Sequence, residues 1–315
     1  MVGEPVTWMV VVSNPRSRKN VKNPRLADEL AELLGEEGRV EAPNSVEEMQ
    51  AVAERCCVEN VEVVAINGGD GTVGIVLTAL LTAYGDQQLP AILLLRGGTM
   101  NTAAKNMGVF GRPAQILARV MAAHRSGRPL HTRSRWMIQV NDRVGFWFGL
   151  GVVSNYLKPY YEGSPPTPFK ALWVFVRAAF SAVVGGEYAK AITAPVSCTV
   201  FVDGHRLNTQ KWLAFGVGTL VDVGWGFRAF YRLRDGAGRA HVLGWEGSSF
   251  QMARTLPRVF FGKPANRAFV YDSAANVVHI QSTETLSYMM DGDLLYSEED
   301  LRIRVTRAIQ WIAVP

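Results

Sequence analysis

The sequence predicts two domains of different fold class: an N-terminal α/β domain on a parallel sheet and a C-terminal domain of antiparallel strands. Apolar runs of strand length alternate with helix-length segments over residues 1–128. From about residue 129 short β-type runs dominate, so residues 129–305 are assigned to the second domain. The tail, about residues 306–315, could pack back on the first domain. A chain of 315 residues is long enough to form two hydrophobic cores.

In the N-terminal domain each predicted strand leads into a polar loop and then a helix. Strands are predicted at Trp8–Ser13, Val61–Ile66 and Pro90–Leu95, and the first leads into the loop Asn14–Asn20. Ligands of parallel sheets bind beyond the carboxyl ends of the strands, so we expect the loops after the three strands to meet in space. Helices are predicted from Asn23-Pro24 to about Gly35, from the Ser45 and Glu48 capping-box pattern to about Asn60, from Thr72 to Tyr84, shortly after Asn101, and from Pro113 to Ser126.

The C-terminal domain is predicted to be an antiparallel sandwich or barrel with two inserted helices. Asn141-Asp142 and Asp203-Gly204 supply turn chemistry between strands. The helices are expected at about residues 168–186 and 247–261. The predicted strands are Trp136–Val140, Val144–Gly149, Val196–Val202, Lys211–Val217, Ala268–Tyr271, Val277–Gln281 and Leu301–Val305.

Composition and charge describe a folded chain with basic clusters. Hydrophobic residues make up 48% and charged residues 19% of the chain, and the formal net charge is +5. Seven arginines and one acid lie between Val109 and Gly145, and eight Arg or Lys and three acids lie between Trp225 and Asp272. Such basic clusters are typical of proteins that bind an anionic partner, such as a nucleotide, a nucleic acid or an acidic membrane surface. Ordinary solvated arginines are the alternative explanation.

The cysteines and the N-terminus argue against several classes of protein. Cys56, Cys57 and Cys198 form no Cys-x-x-Cys pair, so neither a disulfide framework nor a zinc site is expected. Met1–Val6 carries no basic region before an apolar core, which predicts no signal peptide. A reducing, cytoplasmic location is therefore expected.

One apolar segment, Phe169–Gly186, has about the length of a membrane span. It contains Lys170 and Arg177, and an arginine near the bilayer centre costs about 2.5–3.5 kcal/mol on insertion scales. A buried or lipid-contacting helix is therefore expected there, and not a transmembrane helix. The aromatic residues of this segment and the later Phe260-Phe261 pair are either core residues or contacts to acyl chains or the bilayer.

The most informative motif is Gly68-Gly69-Asp70-Gly71-Thr72, between an apolar strand run and an apolar helix-like run. Glycines let a backbone turn approach a large anion, and the following helix N-terminus offers unpaired N–H groups. A carboxylate beside a phosphate site can bind a cation or accept a proton, so the motif indicates phosphoryl transfer. A structural turn is the alternative, because the motif lacks the Gly-x-Gly-x-x-Gly spacing of a dinucleotide site and the Gly-Lys-Ser/Thr ending of a P-loop.

Four loops together resemble the diacylglycerol kinase catalytic-domain family, which includes bacterial lipid kinases, sphingosine kinases and ceramide kinases. Asn14-Pro-Arg-Ser17 is similar to the family's Asn-Pro-x-Ser-Gly loop, and Gly68–Thr72 matches its Gly-Gly-Asp-Gly-Thr. Gly98-Thr99-Met100-Asn101, followed by Ala104, resembles Gly-Thr-x-Asn-Asp-x-Ala, and Asp291-Gly292-Asp293 resembles Asp-Gly-Glu. The motifs occur in the family's order and span nearly the whole chain.

This resemblance implies a Rossmann-like nucleotide-binding domain of the NAD kinase and diacylglycerol kinase type, followed by a β-sandwich domain that binds lipid. It implies ATP and Mg²⁺ as cofactors, with the ATP phosphates against Gly68–Thr72. Asp70, Asp291 and Asp293 would hold Mg²⁺ and accept the hydroxyl proton, and the base among them stays open. The residues implied to bind the nucleotide are Asn14, Ser17, Asn67, Gly68, Gly69, Gly71, Thr72, Gly98, Thr99 and Asn101.

The chain also departs from the family pattern. Val73-Gly74-Ile75 stands where Leu-Asn-Glu is common, which puts any metal or nucleotide contact made there in doubt. Arg18 replaces a glycine and would add positive charge towards the nucleotide. Thr102 replaces an aspartate, and Asp293 replaces a glutamate with a side chain one methylene shorter. Arg96 is a candidate for neutralising phosphate charge from its position in the chain.

The implied function is transfer of the γ-phosphate of ATP to a hydroxyl of diacylglycerol, ceramide or a related long-chain lipid. An NAD kinase is one alternative because it shares Gly-Gly-Asp-Gly-Thr, but Arg96–Asn101 stands where that class carries a Gly-x-Asn-x-Gly-x-Leu-Gly-Phe-type loop. A non-catalytic, membrane-associated nucleotide-binding protein is the other. The expected partners are the lipid substrate and the anionic inner face of the membrane, bound peripherally. No nucleic acid partner is expected, and a homodimer could form through sheet edges.

Overall fold

The computed structural model describes residues 7–161, 187–224, 226–234, 238–265 and 267–314. The chain divides into two compact units. Unit 1 consists of Met1–Trp136, Asp142–Val144 and Arg307–Pro315, and unit 2 consists of Met137–Asn141 and Gly145–Thr306. The C-terminal residues are therefore part of the unit that the N-terminal residues form. The helix expected at about 168–186 lies outside the described residues.

Unit 1 is built on a mostly parallel sheet. Its strands are β1 (Met9–Ser13), β2 (Gly38–Glu41), β3 (Val63–Asn67), β4 (Ala91–Leu94), β5 (Thr132–Arg135) and β20 (Ile309–Ile312). They lie in the order β2-β1-β3-β4-β20-β5. The four strands β2, β1, β3 and β4 are parallel to their neighbours, β20 is parallel to β4, and β5 is antiparallel to β20.

Helices connect the strands of unit 1, as the sequence pattern predicts. They are α1 (Arg18–Lys22), α2 (Leu26–Leu34), α3 (Val46–Val58), α4 (Asp70–Tyr84), α5 (Thr102–Asn106) and α6 (Pro113–Arg125). Helix α3 begins at the predicted cap, where the Ser45 hydroxyl accepts a hydrogen bond from the Glu48 amide. Every residue of β1 and β3 is buried. Strands covered on both faces are continuous apolar runs, and this confirms the α/β prediction.

Three boundaries in unit 1 differ from the prediction. Arg18–Lys22 is helical although the loop was expected to extend to Asn20, and Asn23 ends α1 where a helix N-cap was expected. Helix α4 begins at Asp70 and not at Thr72, because Gly69 takes the extended N-cap conformation. This earlier start places the Asp70 carboxylate in the first helical turn, where the helix dipole stabilises negative charge. Strand β2 has no apolar run and is only half-buried, so the pattern did not reveal it.

Unit 2 is built from antiparallel strands. They are β6 (Ile138–Val140), β7 (Arg143–Gly145, which begins within unit 1), β8 (Trp147–Gly151), β9 (Val196–Ser197), β10 (Thr199–Val202), β11 (His205–Arg206), β12 (Lys211–Trp212), β13 (Ala214–Gly218), β14 (Ala240–Trp245), β15 (Val270–Ala275), β16 (Val277–Gln281), β17 (Leu286–Met290), β18 (Asp293–Ser297) and β19 (Leu301–Val305). One sheet has the order β11-β10-β16-β19-β6-β7, another has the order β15-β14-β13-β8-β17-β18, and β12 pairs with β9.

The two larger sheets of unit 2 share a hydrophobic core. Val200, Ile280 and Ile303 from one sheet lie in the same buried cluster as Phe148 and Phe215 from the other. Side chains from two facing sheets that form one core define a sandwich. The predicted antiparallel β-sandwich is confirmed.

Helices α7 (Val152–Tyr161), α8 (Glu187–Ile192) and α9 (Ser249–Phe260) accompany this sandwich. Helix α9 confirms the helix expected at 247–261, and its Val259 lies in a second buried cluster with Leu243 and Trp245 of β14. The Trp245 indole donates to the Thr255 hydroxyl at 3.0 Å, which fixes α9 against that strand. No helix among the described residues is long and apolar enough to cross a membrane.

Strands β14, β17 and β18 were absent from the prediction. Every residue of β14 is buried, but His241 and Gly244 interrupt its apolar pattern. Strands β17 and β18 form a hairpin around Asp291-Gly292, with Met290 paired to Asp293. The short polar stretch that was singled out for chemistry is thus also a turn.

Candidate functional site

The candidate site in unit 1 lies at the carboxyl ends of β1, β3 and β4. The Asn14 amide, after β1, donates to the carbonyl of Asn67, the last residue of β3, at 3.0 Å. The Gly98 amide, after β4, donates to the Gly68 carbonyl at 2.9 Å. The three loops therefore meet, because parallel neighbouring strands end at the same edge of the sheet.

Asn14 organises the loop after β1 and links it to α4. Its side-chain oxygen accepts from the Arg16 amide at 2.9 Å, which makes a local turn. Its side-chain nitrogen donates to the Thr72 hydroxyl at 2.8 Å. Ser17 is buried before α1, and its hydroxyl does not cap that helix. Asn14 and Ser17, both expected to bind the nucleotide, thus belong to a loop that is joined directly to the first turn of α4, which carries Thr72.

A buried amide network under the loops was missed by the sequence analysis. The Asn20 amide nitrogen donates to the Asn14 carbonyl at 2.6 Å and to the Asn67 carbonyl at 3.2 Å. The Asn67 amide nitrogen donates to the Ser13 hydroxyl and to the Asn20 side-chain oxygen, each at 3.0 Å. An asparagine three positions after the Asn-Pro-Arg-Ser motif, in a short helix, gave no motif signal. It joins the first loop to the end of β3.

The glycines of the site serve close packing between two loops. A Cβ added to Gly98 would lie 2.3 Å from the Gly69 Cα, and one added to Gly97 would lie 2.6 Å from the Asn67 side-chain oxygen. A Cβ on Gly68 would lie 2.4 Å from the Thr72 Cβ. These distances are too short for any side chain, so the glycines are needed to join the loops, whether or not a ligand is bound.

Asp70 binds the start of a neighbouring helix. Its two carboxylate oxygens accept from the backbone amides of Thr102 at 3.0 Å and Ala103 at 2.9 Å, in the first turn of α5. Hydrogen bonds to an ionised acceptor are stronger than neutral ones. A carboxylate offers about four lone-pair sites, so Asp70 keeps acceptor capacity beyond these two bonds. It therefore fixes the loop after β4 and can still bind a cation or a proton.

The first turn of α4 presents backbone donors at this edge of the sheet. In the part of the chain that the structure describes, the amides of Asp70, Gly71 and Thr72 donate to no protein acceptor, whereas the Val73 amide donates to the Gly69 carbonyl. Helix α4 has 15 residues, so its dipole is well developed. Unpaired amides at the positive end of a long helix can bind phosphate oxygens.

Two cations, Lys19 and Arg96, come from the segments that follow β1 and β4. The Lys19 ammonium donates to the Arg96 carbonyl at 2.7 Å, and the Arg96 guanidinium lies 5.8 Å from the centre of the Phe110 ring. Burial lowers the pKa of the Lys19 ammonium, and the nearby charge of Arg96 lowers the pKa further. Mutual repulsion of this kind is relieved when an anion binds between the charges. Lys19 was not selected from the sequence; its only signal was its position after the Asn-Pro-Arg-Ser loop.

The loop after β4 contains two left-handed residues, Arg96 at φ +60° and Asn101 at φ +49°. The Asn101 side chain closes the loop: its oxygen accepts from the Gly98 amide at 3.0 Å, and its nitrogen donates to the Gly98 carbonyl at 2.8 Å. Asn101 is buried, whereas Thr99, which lies between Gly98 and Asn101 in sequence, is exposed. The Asn101 side chain thus shapes the loop, and the Thr99 side chain faces solvent.

The departure at Gly74 has a structural explanation. A Cβ at this position would lie 2.8 Å from the Val144 carbonyl oxygen. The Thr78 hydroxyl, one turn along α4, donates to the Gly74 carbonyl at 2.8 Å and accepts from the Val144 amide at 3.0 Å. Gly74 therefore lets the Asp142–Val144 segment of unit 1 pack directly on α4. Ile75, the next departure from the family pattern, is 47% exposed.

In unit 2, Asp291 occupies the turn between β17 and β18 with φ +51°. Its carboxylate accepts from the backbone amides of Phe146 and Trp147, each at 3.0 Å. A Cβ on Gly145 would lie 2.5 Å from one of its oxygens. Asp291 is thus held against the start of β8, in the same bonding pattern that Asp70 shows in unit 1. Asp293 opens β18 and is exposed.

Asp70 is part of unit 1, whereas Asp291 and Asp293 are part of unit 2. Among the described residues, no group of three or more His, Cys, Asp or Glu side chains is arranged to hold a metal ion. The assignment of Asp70, Asp291 and Asp293 as metal ligands and proton acceptors stays a prediction. Oxygen donors are the ligands that Mg²⁺ prefers, so the chemistry of these residues fits that ion.

Comparison with known proteins confirms the resemblance. Residues 8–129 match the family model for the diacylglycerol kinase catalytic domain. Comparison with the curated proteins gave no significant match. The matched residues include the three loops of the candidate site in unit 1, so this part of the chain is similar to that catalytic domain.

Solved structures share the fold of nearly the whole chain. A diacylglycerol kinase from Bacillus anthracis str. Sterne is 14% identical, with a TM-score of 0.65 and coverage of 98% of this chain and 97% of that chain. A second protein from that organism, assigned as a diacylglycerol kinase, is 15% identical, with a TM-score of 0.71 and 98% coverage of both chains. Yeast NADH kinase complexed with NADH is 13% identical, with a TM-score of 0.51 and coverage of 99% of this chain and 84% of that chain. These similarities show the fold.

Proposed function

We propose that this protein is an ATP-dependent lipid kinase that transfers the γ-phosphate to a hydroxyl of diacylglycerol, ceramide or a related long-chain lipid. The observation that carries the proposal is the junction of three loops at the carboxyl edge of the sheet. The segments that meet there carry the unpaired amides of α4, the two cations Lys19 and Arg96, and the Asp70 carboxylate. The match of residues 8–129 to the diacylglycerol kinase catalytic domain supports the same reading.

Positioning and charge neutralisation are most of what phosphoryl transfer requires from a protein. The first-turn amides of α4 would donate to phosphate oxygens, and Lys19 and Arg96 would offset their negative charge. When bound, Mg²⁺ would reduce the negative charge of the phosphates, and the carboxylates of Asp70, Asp291 and Asp293 are the residues proposed to hold it. The Thr99 side chain, which is exposed next to Gly98, would contact the nucleotide.

The transfer step forms a bond between the acceptor oxygen and the γ-phosphorus and breaks the bond from that phosphorus to the β-bridging oxygen, so that ADP leaves. The acceptor hydroxyl loses its proton to a carboxylate, for which Asp70, Asp291 and Asp293 are the candidates. Which of them acts as the base is left open. The same geometry would serve any alcohol acceptor, so the lipid is the finer part of the proposal.

An NAD kinase is the second candidate, because the fold is also that of yeast NADH kinase. The loop Arg96–Asn101 argues against it, since it lacks the pattern that class carries at this place. A non-catalytic nucleotide-binding protein is the third candidate. The cytoplasmic, membrane-surface location, the absence of a nucleic acid partner and the homodimer remain predictions.

The test is phosphate transfer by the purified full-length chain. Labelled ATP and Mg²⁺ are supplied with diacylglycerol, ceramide, a sphingoid base or NAD, and a labelled lipid product is expected. Transfer to NAD alone would overturn the lipid assignment. Nucleotide binding without transfer to any acceptor would favour the non-catalytic reading.

A matched pair of variants tests the nucleotide site itself. Lys19→Met is expected to weaken ATP binding about tenfold to a hundredfold, because a charged donor typically contributes about 1.5–3 kcal/mol. Lys22→Met, on the same short helix but exposed, should leave the affinity unchanged. Equal affinities for the two variants, measured by calorimetry, would remove Lys19 from the site.

A further inference from the structure

Helix α9 carries exposed aromatic residues that the sandwich does not use. Phe250 is 69% exposed at its first turn, and Phe261, directly after its last residue, is 67% exposed. Phe260 between them and the core is 40% exposed and stacks on Phe227 at 5.8 Å. Phe260 and Phe261 both keep a large exposed fraction, so the pair is not simply a core element as one reading of the sequence allowed.

These residues lie along one line of the helix. Phe250, Arg254, Pro257 and Phe261 follow one another at spacings of four, three and four, which is the period of one helical face. We call these four residues the aromatic stripe. Val259, which lies on the opposite side of α9, is buried against the sandwich. The two phenylalanines are about 16 Å apart along the axis at 1.5 Å per residue.

The aromatic stripe lies in a cationic environment. The sequence from Gly247 to Tyr271 contains four basic residues and no acid: Arg254, Arg258, Lys263 and Arg267. The Arg254 guanidinium lies 5.7 Å from the centre of the Phe250 ring, a cation–π contact that holds the ring at the surface. Arg228 is also exposed and contacts the turn at Gly262.

The turn after α9 is rigid and fixes Phe261 in place. The Gly262 amide donates to the Val259 carbonyl and the Lys263 amide to the Arg258 carbonyl, each at 2.9 Å. The Arg258 guanidinium donates to the Pro264 carbonyl at 3.1 Å, so this cation braces the turn. Gly262 has φ +69°, which lets the chain reverse there. The exposure of Phe261 is thus imposed by hydrogen-bonded structure.

We infer that unit 2 docks on the surface of an anionic phospholipid bilayer through the aromatic stripe. Phe250 and Phe261 are about 16 Å apart along the helix axis, and each can insert separately between lipid headgroups. The exposed side chains of Arg254, Arg258, Lys263 and Arg267 would meet the lipid phosphates. The helix then lies flat on the bilayer, with its buried side still packed on the sandwich.

This inference names a membrane partner and rests on the proposed lipid kinase function. Vesicle binding is measured without turnover, so the inference and the proposed function can fail separately. Vesicles of phosphatidylcholine alone and of phosphatidylcholine with about 30% phosphatidylglycerol are sedimented with the full-length chain. Binding to the anionic vesicles is expected, and it should weaken as NaCl rises, because salt screens the attraction. No binding to anionic vesicles at low salt would overturn the inference.

Variants of the aromatic stripe test the geometry. Phe250→Ala with Phe261→Ala should weaken binding to anionic vesicles about tenfold or more, because two apolar rings no longer leave water. Tyr296→Ala, which removes a ring that is 62% exposed on β18, is the matched control and should bind as wild type does. Unchanged binding by the double variant, with wild-type thermal unfolding, would show that the stripe is not the docking surface.

A second pair of variants separates charge from insertion. Arg254→Gln with Lys263→Gln should weaken binding to anionic vesicles about thirtyfold, at about 1 kcal/mol for each charge, whereas Arg206→Gln, exposed on β11, should not. Duplex DNA is a further test ligand. If wild type and the phenylalanine double variant bind DNA equally, and as tightly as wild type binds vesicles, the surface is a general anion site and the inference is overturned. Phosphate transfer to a water-dispersed short-chain acceptor should be unchanged in all four variants.

Discussion

At the scale of single residues, the two aspartates selected from motifs have structural bonds as well as candidate chemistry. Asp70 binds the first amides of α5, and Asp291 binds the first amides of β8. A carboxylate with two backbone donors is fixed in orientation, which is what a metal ligand or a proton acceptor needs. The structural bonds of both aspartates are therefore observed, and their role in chemistry stays a prediction.

Asp70→Asn is expected to abolish phosphate transfer and also to destabilise unit 1 by about 1–3 kcal/mol. The amide group replaces one acceptor oxygen with a donor, so one of the two α5 amides loses its partner. Transfer of labelled phosphate and urea unfolding are the measurements, and Asp28→Asn, exposed on α2, is the control. Undiminished transfer by the variant would remove Asp70 from the mechanism.

His241 in unit 2 predicts a pH dependence of stability. Burial lowers its pKa although Asp272, 2.9 Å away, favours the charged form. Burial alone would raise the pKa of Asp272, but hydrogen bonds from His241, Arg232 and Tyr231 outweigh it and lower that pKa. Both folded-state pKa values are depressed, so each group destabilises the fold as the pH falls below its unfolded value, about 6.5 for His and about 3.9 for Asp.

The free energy of unfolding should therefore fall between pH 7 and pH 5, as the unfolded chain gains a proton that buried His241 resists. In His241→Gln this slope should be reduced, while His205→Gln, exposed on β11, should keep the wild-type slope. Urea unfolding at several pH values measures it. A slope that persists in His241→Gln would assign the effect to other groups.

At the scale of elements, the residue at which helix α4 departs from the family pattern, Gly74, is a site of close packing. The change to Gly74 removes a side chain from the face of α4, and the Asp142–Val144 segment occupies that space. The sequence analysis treated this position as a lost polar contact. Only the path of residues distant in sequence shows that the position is filled by backbone.

Gly74→Ala is expected to destabilise unit 1 by about 1–3 kcal/mol. Replacing a glycine in a helix interior by alanine usually raises the stability of the protein by about 0.5–1 kcal/mol. Here the new methyl group would lie 2.8 Å from the Val144 carbonyl oxygen, and this close contact outweighs the gain. Thermal and urea unfolding give the sign, and Ile75→Ala at the exposed neighbouring position is the control. Stabilisation of the glycine variant would show that the Asp142–Val144 segment moves away without cost.

Most elements were predicted in type, because their apolar periodicity is strong. The buried strands β1, β3 and β4 and the helices α3, α4, α6 and α9 follow directly from it. Helix α1 was missed because Arg-Lys-Asn-Val-Lys has no apolar face, and it is positioned by the buried Asn20 network. Strand β14 was missed because the buried His241 is satisfied by Asp272 from a neighbouring strand, a pairing that local sequence does not contain.

At the scale of the whole molecule, the chain returns to its first unit at its end. Strand β20 inserts between β4 and β5, and Ile309, Trp311 and Ile312 are almost completely buried there. The core of unit 1 is therefore incomplete until residues 307–315 have joined it. This arrangement makes the stability of unit 1 depend on the last residues of the sequence.

Trp311→Ala should cost about 3–5 kcal/mol of stability, the usual effect of removing a buried tryptophan. Gln310→Ala, on the same strand, removes the side-chain hydrogen bond to the Ser134 hydroxyl at 2.9 Å and should cost about 1 kcal/mol or less. Urea unfolding followed by circular dichroism compares the two. Similar small losses would mean that β20 adds little to the fold of unit 1.

The sequence by itself determined the two fold classes, the order of most elements and the four motifs, because periodicity and turn chemistry are local properties of a chain. The tertiary structure decided the rest. It bonded Asp70 to α5 and Asn20 beneath the loops, placed Lys19 beside Arg96, and filled the space at Gly74. It also left Phe250 and Phe261 on the surface of unit 2. Contacts between residues far apart in sequence depend on how strands and helices pack, and no local pattern records them.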